Sequence, residues 1–262
     1  MESTICVNYF PVFLSLVVLG AYRCRYPTAS SGGMKYDINL DSYSSHSQIL
    51  AMLRELPRGS SVLDVGAAQG YIGERLSGSG FYLAGIERDP HSAAISSPYY
   101  DEFLAADIET ANLCFSRKFD AIVLADVLEH VRHPLGLLVE LRKYLSENGR
   151  FIISVPNVAN IYVRLNLLFG KFDYADRGIL DESHLRFFTL KTIQGLLQQA
   201  HLDRLGLSVT PVPLPLVFPN TREGGRGHFL HRANWLAARA WKRLFAYQFI
   251  LLAAPPRGKS GV

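Results

Sequence analysis

Acids stand at the ends of two consecutive apolar stretches of this chain. Val62-Leu63-Asp64-Val65 runs straight into Gly66-Ala67-Ala68-Gln69-Gly70, and Tyr82 to Glu87 ends on a second carboxylate. Gly66 and Gly70 allow backbone conformations and close approach that a Cβ would forbid. A helix starting near Tyr71 would aim free N–H groups at the turn, which suits a carboxylate. Asp64 can help hold an ammonium, and Glu87 can accept from both hydroxyls of a ribose. Asp107, after a third stretch, lies where an adenine amino group could be read. With Ala68 in the turn, Arg88 beside Glu87, Ile108 beside Asp107 and Ala125 ending a fourth stretch, these residues form the expected contacts to a positively charged, ribose-bearing ligand. The rival ligand is a dinucleotide, because Ala68-x-Gly70-x-x-Gly73 loosely matches the Gly-rich fingerprint. Against it, the glycines begin late relative to the strand, Asp64 would face a pyrophosphate, and no second domain large enough for a hydride acceptor is present. A plain strand-to-helix turn is the third reading.

A second group follows the fourth stretch. Asp126, Glu129 and His130 are spaced i, i+3, i+4, which puts them on one helical face if the turn is helical. Two carboxylates and an imidazole there could hold Mg²⁺ or Zn²⁺. The plainer alternative is an N-capping Asp126 with a solvated Glu129. His130, just past the fourth stretch on the cofactor side of the sheet, is the first candidate for a general base; a packed imidazole is its alternative. His184, the second catalytic candidate, falls with Arg186 and Phe187 in a mixed aromatic and charged segment that could cover an acceptor or be anchored to the sheet.

The elements that must position these residues read clearly in the middle of the chain. Helical spacing predicts a helix from Ser45 to about Leu56, ended by Pro57-Arg58-Gly59. Strands are expected at Ser61–Val65, Tyr82–Glu87, Glu102–Ala106, Phe119–Leu124 and Arg150–Val155. Between them lie helices at Tyr71–Leu76, from Pro90, and at Pro134–Leu145. Apolar strands alternating with helices indicate a parallel sheet covered on both faces and doubly wound. Residues 157–188 read as a long insertion or lid. A helix at Thr189–Ala200, capped by Thr189, follows, then a strand at Leu205–Val212 and a Pro- and Gly-rich loop at Pro211–Gly227. A basic, Trp-bearing helix at His228–Leu244 and a last strand at Phe245–Ala253 complete the domain. That helix is either half-buried core or a surface for an anionic membrane.

Asp64-x-Gly66, Glu87, Asp107 and Phe119-Asp120-Ala121-Ile122 together resemble the ordered motifs of class I S-adenosylmethionine-dependent methyltransferases. Leu128-Glu129-His130-Val131, Ser154-Val155-Pro156-Asn157 and His184-Leu185-Arg186-Phe187-Phe188-Thr189 are similar to the subgroup of ubiquinone-biosynthesis O-methyltransferases. The resemblance covers roughly Tyr36 to Ala253. It implies a mostly parallel, seven-stranded Rossmann-like sheet with a C-terminal antiparallel strand, and S-adenosylmethionine as cofactor. It also implies transfer to an oxygen of a small or lipid-linked acceptor. In the quinone O-methyltransferases similar acid–acid–His triads are assigned to metal, though Asp126 stands here in place of a longer Glu. The later motifs leave the acceptor open. Transfer to N or C, on a sugar or glycan precursor, and a non-catalytic module of the same fold stand as alternatives.

The bulk properties bound these readings. The 262 residues suffice for one α/β domain. A net charge of +4 is too small, and basic runs are too sparse, to imply nucleic acid. The scattered Cys6, Cys24 and Cys114 exclude a disulfide framework or a structural zinc site and fit a reducing, cytoplasmic compartment. Ile5 to Tyr22 is a nearly continuous apolar run of 18 positions followed by Arg23 and Arg25. It sits at the short edge of a membrane span, oriented to leave the domain in the cytoplasm; equally, residues 1–33 could be an extension ahead of a true start at Met34. The domain is then 34–254, with a tail at 255–262.

Overall fold

The computed structural model describes residues 41–256, so both readings of residues 1–33 lie outside the described residues. The chain enters through α1 (Ser45–Arg54), whose first turn is capped by the Ser44 side chain accepting from the Ser47 N–H. Then come β1 (Ser61–Val65), α2 (Tyr71–Leu76), β2 (Tyr82–Glu87), α3 (Pro90–Ser96), β3 (Glu102–Ala105), β4 (Phe119–Ala125), α4 (Pro134–Arg142) and β5 (Leu145–Pro156). β1 to β4 have the bounds their apolar runs predict, to within one residue. A short α5 (Ile161–Leu168) lies inside the expected insertion. It is followed by α6 (Leu190–Gln199), β6 (Asp203–Thr210), α7 (Leu214–Val217), α8 (His228–Ala240), α9 (Lys242–Phe245) and β7 (Gln248–Ala254).

The seven strands form one sheet in the order β3-β2-β1-β4-β5-β7-β6. The first five are parallel, and β7 runs antiparallel between β5 and β6. Strand order reverses between β1 and β4, and a crevice opens there at the carboxyl ends of the strands. Alternate residues of each strand face opposite layers. Val62, Ala121, Val123, Ile152 and Ile250 pack against α1 and α2. Leu63, Ile122, Leu124, Phe151 and Phe249 pack against α4 and α6.

Several boundaries differ from the sequence reading. The helix expected to reach Leu145 stops at Arg142, because Leu145 already pairs with Phe119 and starts β5. The register shift between Phe119 and Ala121 absorbs Glu147-Asn148-Gly149, which does not close a helix. A Cβ on Gly149 would lie 2.6 Å from the Phe119 carbonyl oxygen, so this bulge requires glycine. The expected Pro211–Gly227 loop contains α7. The helix expected to run to Leu244 breaks at Trp241, whose backbone (φ −131°, ψ 73°) is not helical. β7 starts three residues later than Phe245, at Gln248, and β6 starts at Asp203.

Candidate active site at the carboxyl edge of the sheet

The turn after β1 is built to leave its backbone bare. Gly66 and Gly70 are left-handed (φ 72° and 81°). A Cβ would come within 2.9 Å of Val127 Cγ2 at the first and 2.8 Å of Ser96 Cβ at the second. Ala68 is also left-handed (φ 45°), a conformation that costs a residue with a Cβ. It is held there by its N–H donating to Glu87 Oε2 at 2.8 Å. Glu87 Oε1 accepts from the Asp89 N–H at 2.8 Å. Each oxygen keeps acceptor capacity for a further donor, and the carboxylate is oriented with no ligand needed to place it.

Asp64 is buried, and the Tyr100 hydroxyl donates to its Oδ2 at 2.6 Å. Burial pushes the Asp64 carboxyl up to about 6; the Tyr100 hydrogen bond opposes this and the Glu87 charge adds to it. Tyr100 in turn accepts from the Gly73 N–H at 3.2 Å. Asp107 is exposed at the end of β3, with Oδ1 accepting from the Glu109 N–H. Arg88 is exposed beside Glu87, Ile108 packs partly against the core, and Ala125 closes β4, half-buried. Asp64, Gly66, Ala68, Gly70, Glu87, Asp107 and Ala125 thus all fall along the carboxyl edge, around the point where strand order reverses.

The second group differs from expectation. Asp126 is left-handed (φ 55°), and Leu128–His130 is a single 3-10 turn, so the i, i+3, i+4 face does not form. Asp126 is bound to the sheet: Oδ1 accepts from Ser154 Oγ at 2.8 Å and Oδ2 from Gln248 Nε2 at 2.7 Å. The acid and imidazole groups that converge are instead Glu129, His130 and His184, with ligand atoms all within 4.8 Å of one another. Glu129 is buried with no hydrogen-bond partner on either carboxylate oxygen. Burial raises its pKa well above the ordinary carboxylate range, and the Asp126 charge adds to this. The His130 and His184 rings meet edge to face at 4.9 Å. His130 Nδ1 lies 3.2 Å from the Ser183 carbonyl oxygen, and His184 Nδ1 3.2 Å from that of Ile179. A carbonyl only accepts, so Nδ1 of each ring is the donor in these contacts, and in the neutral ring Nε2 presents the lone pair. Burial lowers the pKa of His184, and the neighbouring His130 lowers it further.

Residues 157–188 are fastened over this turn from both ends. Asn157 and Asn160, fully buried, donate through Nδ2 to the Ala246 carbonyl at 2.9 and 2.8 Å. The Glu129 carbonyl accepts from the N–H groups of Leu185 and Arg186 at 2.8 and 3.0 Å. The Arg186 guanidinium donates to the carbonyls of Val131 and Arg132. Of its two readings the structure therefore favours the anchor, since the guanidinium is engaged by backbone. Phe187 joins Val163, Ile179 and Leu180 in a small core of the segment's own.

Three polar neighbours of the site escape a sequence reading. Tyr100 and Gln248 reach it only through tertiary packing. His46, in the first turn of α1, looks like part of a helix start; it lies edge-on to Tyr71 at 5.1 Å and within electrostatic range of Asp126. Burial lowers its pKa and Asp126 partly restores it. The adjacent serines give no hint beyond a capping signal.

A family model of the methyltransferase domain matches residues 40–205. A curated ubiquinone biosynthesis O-methyltransferase of Actinobacillus pleuropneumoniae is 27% identical over 109 residues, 38% of this chain and 47% of that protein. The chain thus matches about half the length of that relative. Among solved structures, the N-methyltransferase NodS of Bradyrhizobium japonicum, in complex with S-adenosylhomocysteine, superposes with a TM-score of 0.55 at 16% identity, covering 87% of this chain and 94% of that one. A [4+2]-cyclase superposes with a TM-score of 0.54 at 16% identity, covering 80% and 81%. The same sheet therefore carries more than one chemistry.

Proposed function

The chain belongs to the class I, S-adenosylmethionine-dependent methyltransferase family, and from that premise we propose that it transfers the methyl group of S-adenosylmethionine to a hydroxyl oxygen of a small or lipid-linked acceptor. The observation that carries the oxygen assignment is the His130 ring, one turn beyond β4, with its proton fixed on Nδ1 by the Ser183 carbonyl and its Nε2 free to accept. The cofactor brings its own leaving group, a sulfonium. The protein has to orient the acceptor in line with the methyl and take the hydroxyl proton. The turn at Gly66–Gly70 would receive the cofactor's amino-acid end, Asp64 its ammonium, Glu87 its ribose hydroxyls and Asp107 its adenine. Residues 157–188 would cover the acceptor and exclude water.

The test is calorimetric titration of the protein with S-adenosylhomocysteine, followed by transfer of a labelled methyl group to a panel of phenols, catechols and polyprenyl-linked hydroxyls. Micromolar binding with transfer to an oxygen supports the reading. Binding with transfer only to amines or sugar carbons moves it to the N- or C-methylating alternative. No binding by folded protein overturns it.

One observation favours a second reading of the same turn. The buried Glu129 carboxyl, with both oxygens unpartnered, must hold a proton or a cation. Glu129, His130 and His184 fit a divalent ion by chemistry, and two imidazoles favour Zn²⁺ over Mg²⁺. Such an ion would lower the pKa of an acceptor hydroxyl, and His130 would then be a ligand and not the base. A chelator that abolishes transfer, restored by Zn²⁺ and not in Glu129→Gln, supports the ion; transfer insensitive to chelation leaves the proton on Glu129 and the base role with His130.

A further inference from the structure

The helix α8 sits on the molecule with most of its surface unused. Of its thirteen residues only His231 and Ala238 are buried. Phe229 is 66% exposed, Leu236 51%, and Trp241 just beyond it 60%. Phe229, Arg232, Leu236 and Arg239 recur at helical spacing, so apolar and cationic side chains share one outward stripe; Arg243, on the following short helix α9, is also exposed. No Asp or Glu occurs anywhere after Glu223, while Arg226, Arg232, Arg239, Lys242 and Arg243 all fall in or beside α8 and α9. The carboxylate that this helix holds, that of Asp41, is engaged by His231 Nε2 at 2.6 Å. Arg239 lies over the Trp235 ring at 4.6 Å. A half-buried core helix would turn its large apolar groups inward; this one turns them out among cations.

Two placements add to this. Tyr43 stacks on Trp235 at 4.9 Å and Asp41 binds His231, so the described residues begin against this same helix. The segment from α7 to α9 also connects the end of β6 to the start of β7. Both Thr210 and Gln248 pair there at the level of Pro156, the carboxyl end of β5. The connection that carries the stripe therefore leaves and re-enters the sheet at the edge that carries the candidate site.

We propose that the outer face of α8, with Trp241 and Arg243, is a docking surface for an anionic lipid bilayer, into which Phe229, Leu236 and Trp241 insert while the arginines meet the headgroups. Apolar side chains interleaved with arginines and free of acids match the interfacial helix pattern, and tryptophan suits the headgroup boundary. The surface stands on its own residues and does not require the acceptor to be a lipid. It would, however, bring the catalytic edge to a membrane-borne acceptor.

The chain's two tryptophans, Trp235 and Trp241, both report on this surface. The experiment is flotation of the full chain with phosphatidylglycerol vesicles and with phosphatidylcholine vesicles, together with quenching of tryptophan fluorescence by brominated lipid. Arg232→Glu with Arg243→Glu, and Phe229→Ser with Leu236→Ser, are the variants, with S-adenosylhomocysteine binding as the control for folding. The expected result is flotation with the anionic vesicles, quenching by brominated lipid, and at least about tenfold weaker binding for each double variant. Equal binding to both lipids, or binding unchanged in both variants, overturns the proposal and leaves Ile5–Tyr22 as the membrane element. Capture of an oligonucleotide without vesicle binding also overturns it and makes the face a general polyanion site.

Discussion

Glu87 closes the parallel strand β2 and His130 stands just past the parallel strand β4, yet they are held in different ways. Glu87 is oriented by two backbone N–H groups, those of Ala68 and Asp89, supplied by the adjoining turns. His130 is oriented by a carbonyl 53 residues away in sequence, on a segment that is itself fastened to the Glu129 carbonyl and to the approach of β7. The proposed cofactor side is thus a product of strand ends and tight turns, formed before anything binds. The proposed acceptor side is assembled by long-range contacts around a buried, unpartnered carboxyl. The difference fits a division of labour in which one half receives a constant ligand and the other half can vary with the acceptor.

The sharpest way to break the comparison is to remove the base and leave the cofactor. His130→Ala should lower kcat by about 10³, within the range for loss of a general base. Affinity for S-adenosylhomocysteine should stay unchanged by calorimetry. A fall in both together would mean that the two halves are one unit. The reciprocal change is Glu87→Ala. It removes a charged acceptor of two ribose hydrogen bonds and should weaken S-adenosylhomocysteine by at least about 10², given roughly 1.5–3 kcal/mol for each such bond.

This contrast also explains what the sequence shows and hides. β1, β2 and α2 have the bounds their apolar runs and punctuating glycines dictate, and Asp64 and Glu87 stand where those runs end, so local pattern suffices. Asp126 defeats the same logic, because its left-handed backbone turns a helical spacing into a 3-10 turn and commits its carboxylate to Ser154 and Gln248. His184 takes its place in the cluster from 54 residues downstream of His130, a meeting that no periodicity encodes. Tyr100 and His46 are invisible for the same reason. The early start of β5 was hidden by a helix-like leucine spacing that runs on through Leu145.

Asp64 supplies a test of the cofactor side that needs no loss of side chain. Its folded pKa, about 6, lies above the ordinary carboxylate value, so the free native state holds this proton more tightly than the unfolded chain does. The contribution of Asp64 to stability is therefore full at low pH and is lost as pH rises toward 6. A bound ammonium favours the ionised form, so the sign reverses for ligand: affinity should rise as pH climbs through 6. At pH 5 only about a tenth of the sites are ionised, so S-adenosylhomocysteine should bind roughly tenfold more weakly than at pH 7.5. Asp64→Asn should flatten the profile; a profile that keeps its slope in that variant assigns the titration elsewhere.

On the acceptor side the corresponding probe is the anchor. Arg186→Ala removes the hydrogen bonds to the Val131 and Arg132 carbonyls and should loosen residues 157–188 over the turn. The expected outcome is a KM for acceptor raised about fivefold, equivalent to roughly 1 kcal/mol of lost anchoring from these mostly solvent-exposed hydrogen bonds, with unchanged cofactor affinity.

The smallest effect tests whether the cofactor turn is formed under strain. Ala68 is left-handed with no glycine's freedom, at a cost of about 1–2 kcal/mol. Ala68→Gly removes that cost and adds about 0.5–1 kcal/mol of backbone entropy lost on folding. The two nearly offset, leaving a gain of roughly 0.5 kcal/mol, or about 1–2 °C in Tm for a domain of this size. The N–H to Glu87 is kept in the variant, so cofactor affinity should hold. If the variant were instead destabilised by more than 1 kcal/mol, the turn would owe its shape to contacts of the Ala68 methyl group, and the cofactor side would be less a matter of backbone alone than its hydrogen bonds indicate.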